Sequence, residues 1–341
     1  MNRKYKIILF AAGIGIFIYL LLDYGLSNVL INLHKTGWYF VPIVSVWFFV
    51  YLLNAVAFHF VLADRNSKIP FLKLFSLTIS GFAINYITPV VGLGGEPYRI
   101  AELKEQIGTS KAVSATILYT MVHFLSSFVF WILIIFLALT FLSITYTTKI
   151  SLIVALVVFA IIVYLFISLH KTGLVGTLLN IILKIPFINK LAMPLAKKEN
   201  SIQKIDKQIT DLYLKRKSDF LFALLFEVIA RIISSFEYLF ILHAIGIEIT
   251  FLEALYINAV SAFVINLFFF MPLELGSREG GLILVLETLK MTSSIGIYIG
   301  LASRLRELFW ILLGLVLIGL SGKKINKKLI TEVGYEKNTV I

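Results

Sequence analysis

Two short segments, residues 89–99 (PVVGLGGEPYR) and 272–281 (PLELGSREGG), each combine glycines, a proline, a glutamate and an arginine. Glycine allows a tight turn, and a proline such as Pro97 suits the first turn of a new helix. The N-terminus of a helix carries partial positive charge and free N–H donors, so it favours a phosphate. The predicted breaks in the chain are at Pro89, Gly92, Gly94, Gly95, Pro97, Pro272, Gly276, Gly280 and Gly281.

Charged and amide side chains beside these breaks, or inside apolar stretches, are the candidates for binding a polar headgroup. An arginine guanidinium matches the geometry of a phosphate, and a glutamate is a partner for an amine or a sugar. A charge at mid-bilayer costs about 2.5–3.5 kcal/mol on insertion scales, so such residues pair or line a cavity. The candidates are Asn85, Glu96, Arg99, Glu227, Arg231, Asn266, Arg278, Glu279, Arg304, Arg306 and Glu307.

Spacing predicts partners for several of these charges, because residues three or four apart share a helix face. Such pairs either hold helices together or grip a lipid phosphate, and spacing alone leaves both roles open. Asn85 and Asn266 either cap turns or contact substrate, and we expect capping. The predicted pairs are Glu96 with Arg99, Glu227 with Arg231, and Arg304 with Glu307, with Arg306 left over.

The elements that position these residues are long apolar runs. Of the 341 residues, 59% are hydrophobic and 15% are charged, against roughly 25% charged in a typical soluble domain. This composition excludes a water-soluble enzyme, a disordered regulator and a nucleic-acid-binding domain. It predicts an all-α integral membrane protein with about eight hydrophobic helical segments. The runs are 7–22, 38–62, 71–89, 112–142, 150–169, 219–244, 251–271 and 295–320.

No cofactor or metal site is predicted. Cysteine is absent, which excludes disulfides and thiolate metal sites. The five histidines lack metal-ligand spacing, and neither H-E-x-x-H nor G-x-x-x-x-G-K-[ST] occurs. We expect His59, His123 and His243 to pack or to form hydrogen bonds.

The chain also repeats itself. Residues 80–85 read SGFAIN and residues 261–266 read SAFVIN, and each copy continues with a proline followed seven residues later by a glutamate. Internal repeats are common in transporters. We predict one transmembrane domain, residues 1–322, followed by a short basic tail. Its parts are repeat A at about 38–169, a basic linker at 170–218, repeat B at about 219–320, and the tail at 323–341.

The distribution of basic residues predicts the topology. The net charge is +12, and the linker 170–218 alone holds ten Lys or Arg residues. Basic loops favour the cytoplasmic side. If every run crossed the membrane once, this linker would lie outside. If both Pro-Gly segments turn back within the membrane, the linker and both termini lie in the cytoplasm, and the two repeats become inverted. We therefore predict re-entrant segments in a multi-pass protein of the cell (inner, cytoplasmic) membrane.

Within the linker, Ile202, Ile205, Ile209 and Leu212 recur at helical spacing. This pattern predicts an amphipathic helix. One interpretation places the helix on the inner leaflet, held by anionic lipids. The other packs it against its own protein.

Residues 94–100 (GGEPYRI), preceded by Asn85 and Pro89, resemble the flippase-like transmembrane region of bacterial lysylphosphatidylglycerol synthetases, the multiple peptide resistance factor family. The segment 272–281, with Arg278 and Glu279, resembles that family's second motif, and the likeness covers about residues 5–322. It implies movement of an aminoacylated phospholipid between leaflets. In the family a separate C-terminal domain makes that lipid from aminoacyl-tRNA, and we do not expect this domain here, nor any enzymatic activity.

The expected function is a lipid transporter or flippase that moves a phospholipid or a polyprenyl-phosphate-linked lipid between leaflets. The phosphate is expected near Arg99, Arg278 and the Arg304/Arg306 pair. One alternative is a membrane enzyme with Glu96 as one member of an acid–base pair and Glu279 as the other. Another is a non-catalytic scaffold. Nucleic acid is not an expected partner, and a homo-oligomer is compatible with these features.

Overall fold

The computed structural model describes residues 34–62, 69–88, 94–172, 199–269, 276–292 and 294–337, with Ser27, Ile31, Gly176 and Glu274 individually. It does not describe the side chains of 169–172, 199–201, 209, 213, 294 and 321–337. Across these residues the chain is helical and forms no strand, which confirms the all-α class. The predicted run 7–22 and the predicted breaks Pro89, Gly92 and Pro272 lie outside the described residues.

The helices differ in length and character. His34–Val61, Thr109–Phe141 and Tyr146–Ser168 are long and apolar enough to cross a membrane. Phe71–Ile87 and Phe251–Leu267 are shorter apolar helices. After a 3₁₀ turn at Gly37–Tyr39, the helices are α1 (Phe40–Val61), α2 (Phe71–Ile87), α3 (Gly95–Ile107), α4 (Thr109–Phe141), α5 (Tyr146–Thr172), α6 (Glu199–Lys215), α7 (Lys217–Ser234), α8 (Phe236–Ala244), α9 (Phe251–Leu267), α10 (Ser277–Thr288) and α11 (Ser294–Lys337).

Each Pro-Gly segment separates a 17-residue apolar helix from a shorter one. Helices α2 and α9 both have 17 residues, whereas α3 has 13 and α10 has 12. At 1.5 Å per residue, a 17-residue helix is about 26 Å long, short of a hydrocarbon core of about 30 Å. Helix α3 begins at Gly95, so Pro97 lies in its first turn as predicted. The internal repeat and the inverted orientation of its two copies stay predictions.

Two predicted runs have different bounds in the structure. The run 219–244 is divided into α7 and α8, because the hydroxyls of Ser234 and Ser235 both bond the Arg231 carbonyl, at 2.8 and 3.3 Å. Serine hydroxyls compete with the backbone in this way and bend helices. The run 295–320 continues as helix to Lys337, so most of the predicted basic tail extends α11.

Close helix contacts form where small residues meet. Helix α1 packs on α7, α11 on α2, α9 on α10, and α3 on α4. At the α2–α11 crossing, Ser80 Oγ donates to the Gly314 carbonyl at 3.2 Å, and a Cβ on Gly314 would lie 3.2 Å from the Ile79 carbonyl oxygen. Small residues at such crossings let membrane helices approach without a hydrophobic driving force between them.

The predicted amphipathic helix is α6, and it packs on its own protein. It contacts α4, α5 and α7. Leu212 is buried in the core cluster that also contains Leu118 and Phe220, and Ile205 packs against the same cluster. Lys204 and Lys207 are exposed. The described part of the linker therefore favours the second interpretation, while residues 177–198 lie outside the described ranges.

Candidate functional site

A cavity of about 420 Å³ with charged residues in its wall lies between the helices, in the described part of the chain. Its wall is formed mainly by α1, α2, α3, α4, α7, α8, α9 and α11. Aromatic rings and apolar side chains surround an unusual number of charges for a membrane protein interior. The charged side chains in the described lining are four arginines and five glutamates: Arg99, Arg231, Arg278, Arg306, Glu96, Glu227, Glu237, Glu274 and Glu307.

All predicted binding residues line this cavity except Glu279 and Arg304. Those two bind each other, with Arg304 Nη2 2.7 Å from Glu279 Oε1. Glu279 Oε2 also accepts a hydrogen bond from the Gly276 backbone N–H at 3.0 Å, so it caps the start of α10. Glu279 therefore joins α10 to α11, and it does not face Glu96 across the cavity as the acid–base alternative requires.

The predicted pairing within α11 is wrong. Arg304 binds Glu279 rather than Glu307, and Arg306 is not left over: its Nη2 lies 3.0 Å from Glu237 Oε2. Glu307 instead binds Arg278 at 2.6 Å. The physical reason is burial, because a charge removed from water needs the partner that is buried with it, and those partners lie on α8 and α10 rather than along α11.

The predicted Glu227–Arg231 pair is also wrong. Glu227 Oε2 lies 2.7 Å from His123 Nδ1 on α4. The Arg231 guanidinium donates instead to Ser126 Oγ at 2.8 Å and to the His123 carbonyl at 2.7 Å. Both side chains therefore join α7 to α4. His123 forms a hydrogen bond, as expected from the sequence.

In the cavity wall, Arg306 joins three helices. Its Nε and Nη2 donate to Glu237 at 3.0 to 3.1 Å, and both side chains are almost fully buried. The Arg306 Cζ atom lies 3.8 Å from the centre of the Trp47 ring, a cation–π contact. Trp47 Nε1 donates to Glu237 at 2.6 Å. This cluster holds α1, α8 and α11 together, and within it the charges of Arg306 and Glu237 neutralise each other.

Residues of the segment 272–281 extend this network of ion pairs. Arg278 on α10 binds both Glu307 and Glu274, and the Tyr86 hydroxyl on α2 donates to Glu307. Glu274, in the break before α10, has a φ of 56°, a conformation that costs energy for a residue with a Cβ. The ion pair with Arg278 offsets this strain. Arg278 therefore fixes the break to α11.

Asn85 organises the first break. Its Oδ1 accepts from the Gly95 backbone N–H, so it caps α3 from α2, and its Nδ2 donates to Glu96 Oε1 at 3.3 Å. A Cβ on Gly95 would lie 2.8 Å from the Gly81 carbonyl carbon, so only glycine fits this close approach. Asn266, the equivalent residue of the second copy, donates to the Ala262 carbonyl of its own helix at 2.7 Å.

Arg99 differs from the other cavity arginines because most of its hydrogen-bonding capacity is unused. The residue is 1% exposed, and its Nη1 lies 3.2 Å from Glu96 Oε1. The Phe82 and Tyr119 rings flank the guanidinium at 5.1 and 5.3 Å. Among the described residues, Arg99 Nε and Nη2 have no hydrogen-bond partner. Buried donors without acceptors are costly, so this site requires an acceptor.

Several cavity residues were not among the sequence candidates, namely Trp47, Tyr86, His123, Glu237 and Glu274. The sequence carries a signal for Glu237 and Glu274, since each is a carboxylate within or next to an apolar run. Trp47, Tyr86 and His123 carry no such signal, because aromatic side chains and imidazoles in apolar helices usually pack.

The apolar helices and the buried charged cavity define a polytopic all-α membrane protein. The chain belongs to the family described as "Lysylphosphatidylglycerol synthase TM region", which matches residues 6–314. This match confirms the resemblance that the Gly-Gly-Glu-Pro-Tyr-Arg motif indicated. No curated protein and no solved structure gives a match.

Proposed function

We propose that the protein is a lipid flippase of a bacterial cell membrane, which binds the phosphate of a phospholipid or a polyprenyl-phosphate-linked lipid at Arg99 and moves the headgroup between leaflets. The observation that carries this proposal is the buried Arg99 guanidinium, whose Nε and Nη2 have no described partner beside a cavity of about 420 Å³. The family's printed name, which refers to a phospholipid synthase, supports a lipid ligand.

The geometry of Arg99 suits a phosphate. Nε and Nη2 form one edge of the guanidinium plane, and two parallel N–H groups on such an edge bind a phosphate bidentately. Glu96 holds the opposite side through Nη1, and the Phe82 and Tyr119 rings flank the guanidinium. The guanidinium is therefore held in place before the ligand arrives, which lowers the cost of binding. Its Nε and Nη2 atoms have almost no accessible surface and lie against Gly81, so a phosphate reaches them only after the side chain moves toward the cavity.

The other cavity arginines already have acceptors. Arg278 and Arg306 bind glutamates, and Arg231 binds a serine hydroxyl and a backbone carbonyl. Arg99 also binds a glutamate, through Nη1 alone. A phosphate at Arg99 therefore gains charge-assisted hydrogen bonds without breaking an existing pair. We assign Arg278 and Arg306 a structural role, and Arg99 the contact with the ligand.

The cavity wall includes exposed side chains, which a lipid requires. Phe124 on α4 lines the cavity and is 48% exposed, and Asn266 on α9 also lines it and is exposed. A headgroup in the cavity therefore has a route by which its acyl chains stay in the surrounding bilayer. The proposed topology is the predicted one, with α6 on the cytoplasmic side and its exposed Lys204 and Lys207 near anionic lipids.

The test is a flipping assay in proteoliposomes with a fluorescent phosphatidylglycerol that external dithionite quenches. We expect the wild-type protein to flip this lipid faster than protein-free vesicles do. Arg99→Gln should reduce the rate about tenfold, because a charge-assisted hydrogen bond is worth about 1.5–3 kcal/mol. Lys215→Gln, which removes an exposed ion pair with Asp211, is the matched control. A wild-type rate equal to that of empty vesicles would refute the proposal.

A further inference from the structure

His123 on α4 is the partner of a fully buried carboxylate. Its Nδ1 lies 2.7 Å from Glu227 Oε2, and the Glu227 side chain has no exposed surface. His123 lines the cavity and keeps 29% of its side chain exposed. No described residue hydrogen-bonds its Nε2. The imidazole therefore connects the buried carboxylate with the cavity, and its second nitrogen is available to a proton.

Among the residues that the structure describes, no arginine contacts this carboxylate directly. Arg231, one helical turn beyond Glu227 on α7, directs its guanidinium to Ser126 Oγ and to the His123 carbonyl. Tyr119 on α4 and Asn54 on α1 also lie near the carboxylate, and Arg231 acts on it only through space. His123 is therefore the group whose protonation turns the hydrogen bond to Glu227 into an ion pair. Imidazole is the side chain that changes charge between pH 5 and 8.

His123 is linked to the phosphate site through two aromatic rings. The Phe82 and Tyr119 rings lie 5.5 and 6.1 Å from the His123 ring. The same two rings flank the Arg99 guanidinium. In the described part of the chain, the titratable and charged groups around His123 are thus Tyr119 on its own helix, Glu227 and Arg231 on α7, and Arg99 of α3 across the rings. A change of charge on His123 acts on the space where the headgroup binds.

We propose that the His123–Glu227 pair is a proton-binding site coupled to headgroup binding, so that the lipid phosphate and one proton occupy the cavity together. This inference rests on the flippase proposal. With a neutral His123, the described lining holds five glutamates against four arginines, and a phosphate adds another negative charge. Protonation of His123 offsets that charge. By linkage, the proton strengthens phosphate binding and the phosphate strengthens proton binding by the same factor.

The chemical step is a simple proton transfer. Neutral His123 donates Nδ1–H to Glu227, and a proton from water binds the Nε2 lone pair, so no bond within the pair breaks. The proton returns to water when the headgroup leaves the cavity. If the cavity opens to the two sides of the membrane in turn, lipid and proton cross together, and a pH gradient supplies energy for transport. The coupling is expected to lie within the usual 5–150-fold range.

The experiment measures protons and lipid in the same sample. The purified protein in nanodiscs is titrated with short-chain dihexanoylphosphatidylglycerol in weakly buffered solution containing a pH-indicator dye, and lipid affinity is measured separately. The phosphodiester of this probe stays ionised over the working range, so it does not itself exchange protons. We expect net proton uptake on binding, and an affinity about fivefold or more tighter at about pH 6 than at about pH 8.

The control variants separate His123 from other groups. His123→Gln keeps a donor for Glu227 but cannot be protonated, so it should bind lipid with the same affinity at both pH values and without proton uptake. His59→Gln alters an exposed histidine that does not line the cavity, and it should behave as wild type.

The possible outcomes distinguish failure of the proton site from failure of the flippase proposal. Lipid binding without proton uptake in the wild-type protein would overturn the proton site and leave the flippase proposal standing. Proton uptake retained in His123→Gln would overturn the assignment to His123. If no lipid bound at any pH, both proposals would fail together. If His123→Gln does not fold, the presence or absence of proton uptake in the wild-type titration still decides whether lipid and proton bind together.

Discussion

The guanidinium of Arg99 lies directly against the backbone of Gly81, so closely that a Cβ on Gly81 would lie 2.7 Å from Arg99 Cζ. Glycine at position 81 therefore gives the guanidinium the space to lie beside α2, with its Nε and Nη2 atoms against Gly81. Because the side chain is flexible, Gly81→Ala should displace Arg99 rather than unfold the protein. We expect short-chain phosphatidylglycerol binding to weaken about tenfold, measured by calorimetry in detergent.

Gly280→Ala is the matched control for this substitution. Gly280 is also helical, and nothing described lies within 4 Å of a Cβ placed there. Alanine in a helix is favoured over glycine by about 1 kcal/mol, so this variant should bind lipid normally and melt at the same or a higher temperature. Equal lipid affinity in the two alanine variants would show that the position of Arg99 does not determine binding.

Removal of Arg306 should lower the stability of the protein, whereas removal of Arg99 should lower lipid retention. Arg306→Gln strands the buried Glu237 carboxylate, a change that costs about 3–5 kcal/mol and lowers Tm by about 5–10 °C. Arg99→Gln removes a buried cation with unused donors, so Tm should change little while lipid retention falls. Thermal unfolding followed by intrinsic tryptophan fluorescence measures both variants.

Lys215→Gln is the reference for an ion pair in water, since the side chains of Lys215 and Asp211 are 72% and 37% exposed. Its melting temperature should match that of the wild type. A larger loss of stability in Arg99→Gln than in Arg306→Gln would reverse the roles assigned to these two arginines.

Substitutions of Glu96 and Glu279, the glutamates of the two Pro-Gly segments, should also have different effects. Glu96 lines the cavity and holds Arg99, whereas Glu279 caps α10 and binds Arg304. Glu96→Gln should lower flipping per folded molecule with little change in Tm. Glu279→Gln should lower Tm and the yield of folded protein, while the folded fraction keeps its flipping rate. Parallel flipping assays and melting curves measure both variants. Equal losses of flipping per folded molecule would contradict the different roles assigned to the two glutamates.

Much of the fold follows from the sequence because long apolar runs leave few alternatives to membrane helices. The break at Gly95 and the helix after it were predictable from glycine and proline chemistry. The partners of Arg304, Arg306 and Glu227 were not, because spacing along one helix contains no information about which neighbouring helix faces a given side chain. The buried partner on that neighbour determines each ion pair, as Glu237 does for Arg306.

Topology is testable by single-cysteine labelling, because the chain has no cysteine of its own. Lys204→Cys on α6 and Gln106→Cys at the end of α3 should resist an impermeant thiol reagent added to intact cells. Ser143→Cys, an exposed position between α4 and α5, should react. This pattern follows if α2 and α3 form a re-entrant pair that returns to the cytoplasmic side. External labelling of Lys204→Cys would exclude the re-entrant arrangement.

The most direct test of the central claim counts the phospholipid that stays bound to the purified protein, by native mass spectrometry. We predict about one phosphate-bearing lipid per chain in the wild-type protein and in Lys215→Gln, because Arg99 supplies two unused donors beside the cavity. Arg99→Gln, folded and equally stable, should lose that lipid, and Arg99→Lys should retain little of it, since an ammonium does not reproduce the guanidinium edge. Retention of the lipid by Arg99→Gln at the wild-type level would contradict the account.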